Sequence, residues 1–416
     1  MVRLNTNPVR GTRDILPEEM ECRNNIENKI LEVYRKHGFE RIETPAIENL
    51  DLLLNSDGGE NLKMIFTILK RGEKLRLQEG SSLKEICDIG LRYDLTLPLS
   101  RFYGNNKNQL QLPFKSIQID HVYRAERPQK GRFRSFKQCD IDIIGEGSID
   151  AEIDLITTTA KALKTIGLNH FSIRINDRRI LSNIIVSSGF SSEEVRVISI
   201  VLDKLDKIGE NGIKEELVKK GYTEDKVYTL VDNFKKIGEN NFKTIIDDAS
   251  IVQDLQKVIQ VTRELSNGEY SIQFDPSLVR GMGYYTGQIF EISYEPYGFS
   301  IAGGGRYDNM IGNISNESVP AVGFSIGFER IITILMEERN NLSDKKKRVA
   351  LFYQQDDHFV DVMKEADGLR NQNYDVSIIL SKKKLSKQIN QLKNFNQFMI
   401  YGNNELKDIG DEDHVS

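Results

Sequence analysis

The sequence predicts an α+β protein: a sheet of antiparallel hairpins, a helical insertion, and a small α/β domain at the C-terminal end. Three observations predict it. Runs between Ile65 and Gly145 alternate apolar and polar residues between polar turns, which is the period of strands. Residues 188–268 turn to charged sequence with apolar residues three and four apart, the period of helices. Past the basic run "DKKKR" at 344–348, strand-like and helical segments alternate, as in a largely parallel sheet.

Near the start, Ile26, Ile30, Val33 and Tyr34 followed by Gly38 predict an amphipathic helix stopped by glycine, packing on its own core or on a second copy of the chain. Phe39, Ile42 and Pro45 then form a short strand ending at proline. The runs "IFTIL", "LRYDLTLPL", "SIQIDHVYRAE" and "CDIDIIG" are predicted strands of one hairpin sheet. "DAEIDLITTTAKALKTIGL" is a helix closed by Gly167, and "FSIRIND" is a strand. In the insertion Ser191 and Glu194 form a capping box ahead of the apolar face of Val195, Ile198, Leu202 and Leu205. Strand patterning returns at "YSIQFDPSLVRGMGYYTGQIFEISYE", passes through "IAGGGRYDNMIG" and reaches "AVGFSIGFERIITILMEE", a strand followed by a helix from about Gly327. Last come "RVALFY", a helix around 361–370, "YDVSIIL", a helix around 385–392 and "FMIYG", with "DIGDEDHVS" as a polar tail. The expected division is 1–187, 188–268, 269–343 and 344–416.

Composition narrows the function. At 416 residues with 39% hydrophobic content, the chain can build one large core and one or two satellites, at about 150 residues per domain. Neither a membrane-length apolar run nor a secretory apolar core is present, so a cytoplasmic protein without a membrane role is expected. Cys22, Cys87 and Cys139 have no CxxC or His/Cys spacing, which predicts buried thiols rather than disulfides or a metal site. A net charge of −5 argues against a protein that coats nucleic acid, while leaving room for a local basic surface that docks one RNA.

Charge concentrates in five segments of the strand-rich part: "LRYDLT", "YRAERPQKGRFRSFKQCDIDIIG", "SLVRGMGYYTGQIFEI", "GGGRYD" and "GFSIGFERI". In "QCDIDIIG" strand alternation sets Cys139, Ile141 and Ile143 against Gln138, Asp140, Asp142 and Ile144. One such polar face by itself reads as a solvated surface with ion pairs; five together point to a site. Arg124, Arg127, Arg132 and Arg134 flank the turn "PQKG", and guanidinium forks on a hairpin suit phosphate oxygens. Phe136 offers a ring on which a purine can stack. Neither the Walker nor the dinucleotide-binding glycine spacing occurs, and the triplet in "GGGRYD" fits a tight turn or bulge as well as a close ligand approach.

In this order, "YRAERPQKGRFRSFKQ", "LVRGMGYYTGQIFE", "AGGGRYD" and "GFSIGFERI" resemble the histidyl-tRNA synthetases, class II aminoacyl-tRNA synthetases, over roughly 11–330. The resemblance implies a catalytic domain with an antiparallel sheet flanked by helices, in two parts (1–187 and 269–343) around the insertion. It also implies a C-terminal anticodon-binding domain, shortened here, and a homodimer joined around Val33 to Pro45. Its substrates would be L-histidine, ATP with Mg2+, and tRNA(His), with no permanent cofactor or protein-held metal. By the same resemblance Arg124 is expected on the ATP α-phosphate, Glu126 near adenine, Arg132 toward the distal phosphates, Phe136 beneath adenine and Arg330 on the γ-phosphate. The amino group of histidine would meet Asp94, Thr96 and Gln138, and its imidazole Asp142 and Tyr285, with Tyr284 and Tyr285 walling the pocket. Arg280 matches the family's catalytic arginine, joining the histidine carboxylate to the α-phosphate; it and Arg124 are the expected catalytic pair. Gly283 departs from an aspartate common in the family.

Two functions follow. One is a ligase that makes histidyl-adenylate and transfers histidine to tRNA, with Lys382, Lys383, Lys384, Lys387 and Lys393 meeting the RNA backbone or simply wetting a helix. The other is a non-catalytic histidine-binding regulator resembling the regulatory subunit of ATP phosphoribosyltransferase, a fold relative for which Arg124, Arg132, Arg280 and Arg330 have no use.

Overall fold

Pro17 at the first position of α1 (Pro17–Lys36) costs no helical hydrogen bond, and Glu18, Glu19, Arg35 and Lys36 each sit at the end of the helix dipole that favours their charge. In the computed structural model Ile26, Ile30, Val33 and Tyr34 are buried, so this face packs on the chain's own core. Gly38 ends the helix at φ +82°. The structure describes residues 4–55, 64–76, 78, 80–128, 131–237, 249–279, 285–315, 317–338, 347–402 and 405–409. No described helix is long and apolar enough to cross a membrane. The chain divides into two compact units, Met1–Asn340 and Asn341–Ser416.

After β1 (Glu40–Arg41) come β2 (Ile47–Asn49), α2 (Leu50–Asn55), β3 (Thr67–Leu69), α3 (Leu83–Ile86) and β4 (Cys87–Leu91). Strands β2, β4 and β3 make a separate three-stranded sheet, so "IFTIL" does not join the hairpin sheet as expected. The predicted strand "LRYDLTLPL" is also corrected: it ends at Leu91, and α4 (Thr96–Asn106) follows. The alternation there was misleading because Asp94 Oδ1 accepts from Leu97 N at 3.2 Å, and Pro98 falls in the first helical turn, where no N–H is needed.

The long hairpin of β5 (Phe114–Tyr123) and β6 (Ser135–Ile144) starts the large sheet. It is followed by α5 (Asp150–Thr165), β7 (Ser172–Asp177) and the helices α6 (Arg178–Ser187), α7 (Val195–Leu202), α8 (Leu205–Lys219), α9 (Glu224–Lys236) and α10 (Ala249–Ser266). Then come β8 (Ser271–Phe274), β9 (Gln288–Tyr294), β10 (Phe299–Arg306), α11 (Asp308–Ser315), β11 (Ala321–Gly327) and α12 (Phe328–Glu337). The eight strands lie in the order β1-β5-β6-β11-β10-β9-β7-β8, antiparallel except for the outer pairs β1–β5 and β7–β8. Helices α1, α5 and α12 pack against it; Cys139, Ile141, Ile143, Phe324 and Ile326 are buried in its core. An α+β fold with a mixed sheet flanked by helices results.

The glycine triplet is neither turn nor bulge. Gly303, Gly304 and Gly305 lie in mid-strand on β10, paired to β11 and β9. A Cβ on Gly304 would overlap the Gly323 carbonyl oxygen and lie 2.8 Å from Phe324 Cα, backbone that has nowhere to move.

The second unit holds β12 (Arg348–Tyr353), α13 (Phe359–Asn371), β13 (Asp375–Leu380), α14 (Leu385–Ile389), β14 (Gln397–Gly402) and β15 (Glu405–Asp408) in the order β13-β12-β14-β15. The first three are parallel and β15 is antiparallel. "FMIYG" is therefore not the last strand: the chain turns back and adds another, and α14 ends before 392. Of the expected tail, 410–416 lie outside the described residues.

Gly304→Ala is expected to lower stability by at least about 2 kcal/mol through overpacking. Gly147→Ala, whose added carbon meets only Pro320 at 3.5 Å, should stay within about 0.5 kcal/mol. Urea unfolding of the full chain followed by circular dichroism checks both.

Candidate active site

Strand alternation puts Phe136, Gln138, Asp140 and Asp142 on one face of β6. Gln118 of β5 and Ser325 of β11 flank Asp140, while Ser116 and Gly323 flank Asp142. The solvated-face reading fails: Gln138, Asp140 and Asp142 are only 9%, 4% and 2% exposed. Glycine makes this burial possible, since a Cβ on Gly323 would overlap Asp142 Oδ1.

Each acid keeps one oxygen open. Tyr307 Oη donates to Asp142 Oδ1 at 2.7 Å, and Ser325 stands directly across the strand pairing from Asp140. Asp142 Oδ2 and Asp140 Oδ1 are buried and accept nothing from the described residues. Burial pushes the Asp142 carboxyl up to about 7; Asp94 adds to this and the Tyr307 hydrogen bond opposes it. Asp140 goes well above the usual carboxylate range, first through burial and then through Asp142, with Ser325 and Arg124 pulling the other way. A buried carboxyl held this way favours a partner that brings hydrogen-bond donors and positive charge.

The cation above this group is Arg124, at the end of β5. Its Nε donates to the Tyr93 carbonyl at 2.9 Å, its Nη2 reaches Gln138 Oε1 at 3.4 Å, and its guanidinium lies 5.1 Å over the Phe136 ring. Gln138 Nε2 donates to Ser325 Oγ at 2.6 Å. Asp94 is buried and anchors the start of α4, where Thr96 is half-buried. Tyr285 packs on the cluster that contains Tyr307, in the space left by Gly305, where an added Cβ would lie 2.9 Å from its ring. The structure thus brings Asp94, Arg124, Phe136, Gln138 and Asp142 to one face and sets Tyr285 beside Tyr307.

Arg330 stands elsewhere on the same sheet. Its guanidinium donates to the Ser300 carbonyl and lies 5.5 Å over the Phe299 ring. A Cβ on Gly131, in the loop after β5, would be 3.8 Å from Arg330 Cγ. Arg132 is exposed on that loop and Glu126 is half-buried. Arg280 and Tyr284 lie outside the described residues. Among the described residues no group of three or more His, Cys, Asp or Glu is placed to hold a metal.

Sequence reasoning assigned no site role to Asp140, Ser325 or Tyr307. The first two were within reach, because Asp140 shares the alternating face of Gln138 and Asp142, and Ser325 alternates with Gly323 and Gly327 in "GFSIG". No short pattern ties Tyr307 to Asp142, which lies 165 residues away.

A stability consequence follows from Asp142. The folded carboxyl keeps its proton to about 7 while the unfolded one releases it near 4, so stability falls as pH rises through that window. Asp142→Asn should therefore be more stable than the parent at pH 8, on the order of 3 kcal/mol, with the advantage shrinking toward pH 5. Urea midpoints at the two pH values test the sign.

Comparison with known proteins gives this geometry its context. The family model described as histidyl-tRNA synthetase matches residues 11–331. A histidine–tRNA ligase of Leifsonia xyli subsp. xyli is 43% identical over 79% of this chain and 80% of its own. A probable histidine–tRNA ligase of Tropheryma whipplei is 41% identical over 83% of each chain. The crystal structure of histidyl-tRNA synthetase from Nostoc sp. PCC 7120 superposes with a TM-score of 0.77 at 27% identity, covering 98% of this chain and 95% of that one. With its buried acids, its arginine over an aromatic ring and three-quarters of its length matched, the chain belongs to the histidyl-tRNA synthetase family.

Proposed function

We propose that the Asp94–Gln138–Asp142 face holds histidine and that Arg124 and Phe136 hold ATP beside it. The chain is an ATP-dependent aminoacyl-tRNA ligase specific for histidine, as its family is. One observation carries the residue assignment: Asp142, buried, has one oxygen on Tyr307 and the other open toward an incoming donor. An imidazole N–H fills that position. An apolar competitor leaves a buried carboxyl unpaired, which sites of this kind use to reject analogues by large factors.

Asp94, Thr96 and Gln138 take the ammonium group, and Tyr285 with Tyr284 walls the ring. Phe136 stacks with adenine, Glu126 lies near its edge, Arg132 and Arg330 take the distal phosphates, and Mg2+ comes with ATP. A carboxylate oxygen of histidine attacks the α-phosphorus; the bond to the bridging oxygen breaks and pyrophosphate leaves with the electron pair. Arg124 and Arg280 stabilise the charge of that transition state, and bound orientation supplies much of the rest. The terminal hydroxyl of tRNA(His) then attacks the acyl carbon and AMP departs.

The same reading takes the chain as cytoplasmic and homodimeric. Glu40 and Arg41 are exposed on β1, an edge strand of the large sheet, and open edges are where a second chain can add. It takes 188–268 as an insertion between 1–187 and 269–343, and 344–416 as the RNA-reading domain. Lys382, Lys383, Lys384, Lys387 and Lys393 are all exposed there.

Purified protein should exchange pyrophosphate into ATP only when histidine is present. Arg124→Ala and Arg280→Ala should each lower that rate by about 10²- to 10³-fold. Histidine binding without exchange would contradict the assignment. Deleting everything after Ser343 should abolish tRNA charging and leave most of the exchange, measured in parallel.

A further inference from the structure

Gln138 can face its carboxamide either way, and only one way serves an ammonium ligand. The hydrogen bonds around it choose. Its Nε2 donates to Ser325 Oγ at 2.6 Å and its Oε1 accepts from Arg124 at 3.4 Å. A hydroxyl that accepts from an amide has its own proton left to donate, and Asp140, directly opposite Ser325 in the β6–β11 pairing, is the acid on that side to take it. Asp140 is 4% exposed, so this acceptor does not swing away into water. Arg124, Gln138, Ser325 and Asp140 thus run in line from a cation through two neutral groups to an acid.

We propose that Asp140 and Ser325 are positioning residues, fixing the Gln138 carboxamide with its carbonyl oxygen toward Arg124 and the amino-acid subsite. Without Ser325 as acceptor the amide loses what distinguishes its two ends on that side. A flipped amide presents N–H groups to Arg124 and to the substrate ammonium, both of which are donors. The pair touches neither substrate and acts only through Gln138. The inference rests on the proposed role of Gln138 in holding the ammonium group.

Histidine-dependent pyrophosphate exchange, with KM for histidine, KM for ATP and kcat measured separately, tests it in four single variants and one double. Gln138→Ala is the reference and should raise KM for histidine by about tenfold or more. Ser325→Ala should raise the same KM by about five- to tenfold, leaving KM for ATP within about twofold. Ser325→Thr, which keeps the hydroxyl, and Asp140→Asn, which keeps an acceptor oxygen, should stay within about threefold of the parent. Gln138→Ala/Ser325→Ala should match Gln138→Ala alone, since the serine acts through the missing amide. If Gln138→Ala raises KM while Ser325→Ala does not, or if the two effects add fully in the double variant, the positioning role is wrong. If Gln138→Ala itself leaves KM unchanged, the proposed role of Gln138 fails and this inference falls with it.

Discussion

A carboxylate withdrawn from water is costly unless something donates to it, and this sheet face withdraws three: Asp94, Asp140 and Asp142. Much of the surrounding structure answers that cost. Tyr307 satisfies part of Asp142, Ser325 stands opposite Asp140, and Arg124 supplies a cation within electrostatic reach of Asp140. Of the oxygens that stay unsatisfied, the one on Asp142 is the part that shapes a ligand in the proposed site. A face built this way selects for donors and positive charge, both of which histidine carries.

The backbone had to be thinned to admit these side chains. Gly323 stands beside Asp142 and Gly305 beside Tyr285, so each functional side chain occupies the volume a neighbour gave up. Gly304 serves a different purpose, letting β10 and β11 approach. Strand and site are therefore one construction: Gly304 brings the strands together, and Gly305 and Gly323 beside it leave room for the polar face.

Much of the sheet was legible, because period-two alternation in "QCDIDIIG" states which residues share a face, and that face is the candidate site. Its dryness was not legible, since alternation cannot say whether water covers a polar face; only the packing of α4, α11 and the neighbouring strands decides that. "LRYDLTLPL" misled because Asp94 and Pro98 are helix-start residues arranged at strand spacing. The same short segment holds two unlike charges. Arg92 is fully paired, to Asp120 at 2.7 Å and to the Thr44 and His121 carbonyls, and so holds the strands together, whereas Asp94 faces the site. Residue type and spacing could not separate them. Long-range partners such as Tyr307 and Asp142 come from the fold alone.

In the proposed site Asp142 stays buried for the sake of the ligand and at the expense of stability. Calorimetric titration of histidine into the parent protein and into Asp142→Asn, with no ATP present, tests it most directly. Binding should be at least about 100-fold weaker in the variant, because asparagine no longer offers a charged acceptor for the ring N–H. Equal affinity, within about twofold, would contradict it and move the histidine subsite away from this face.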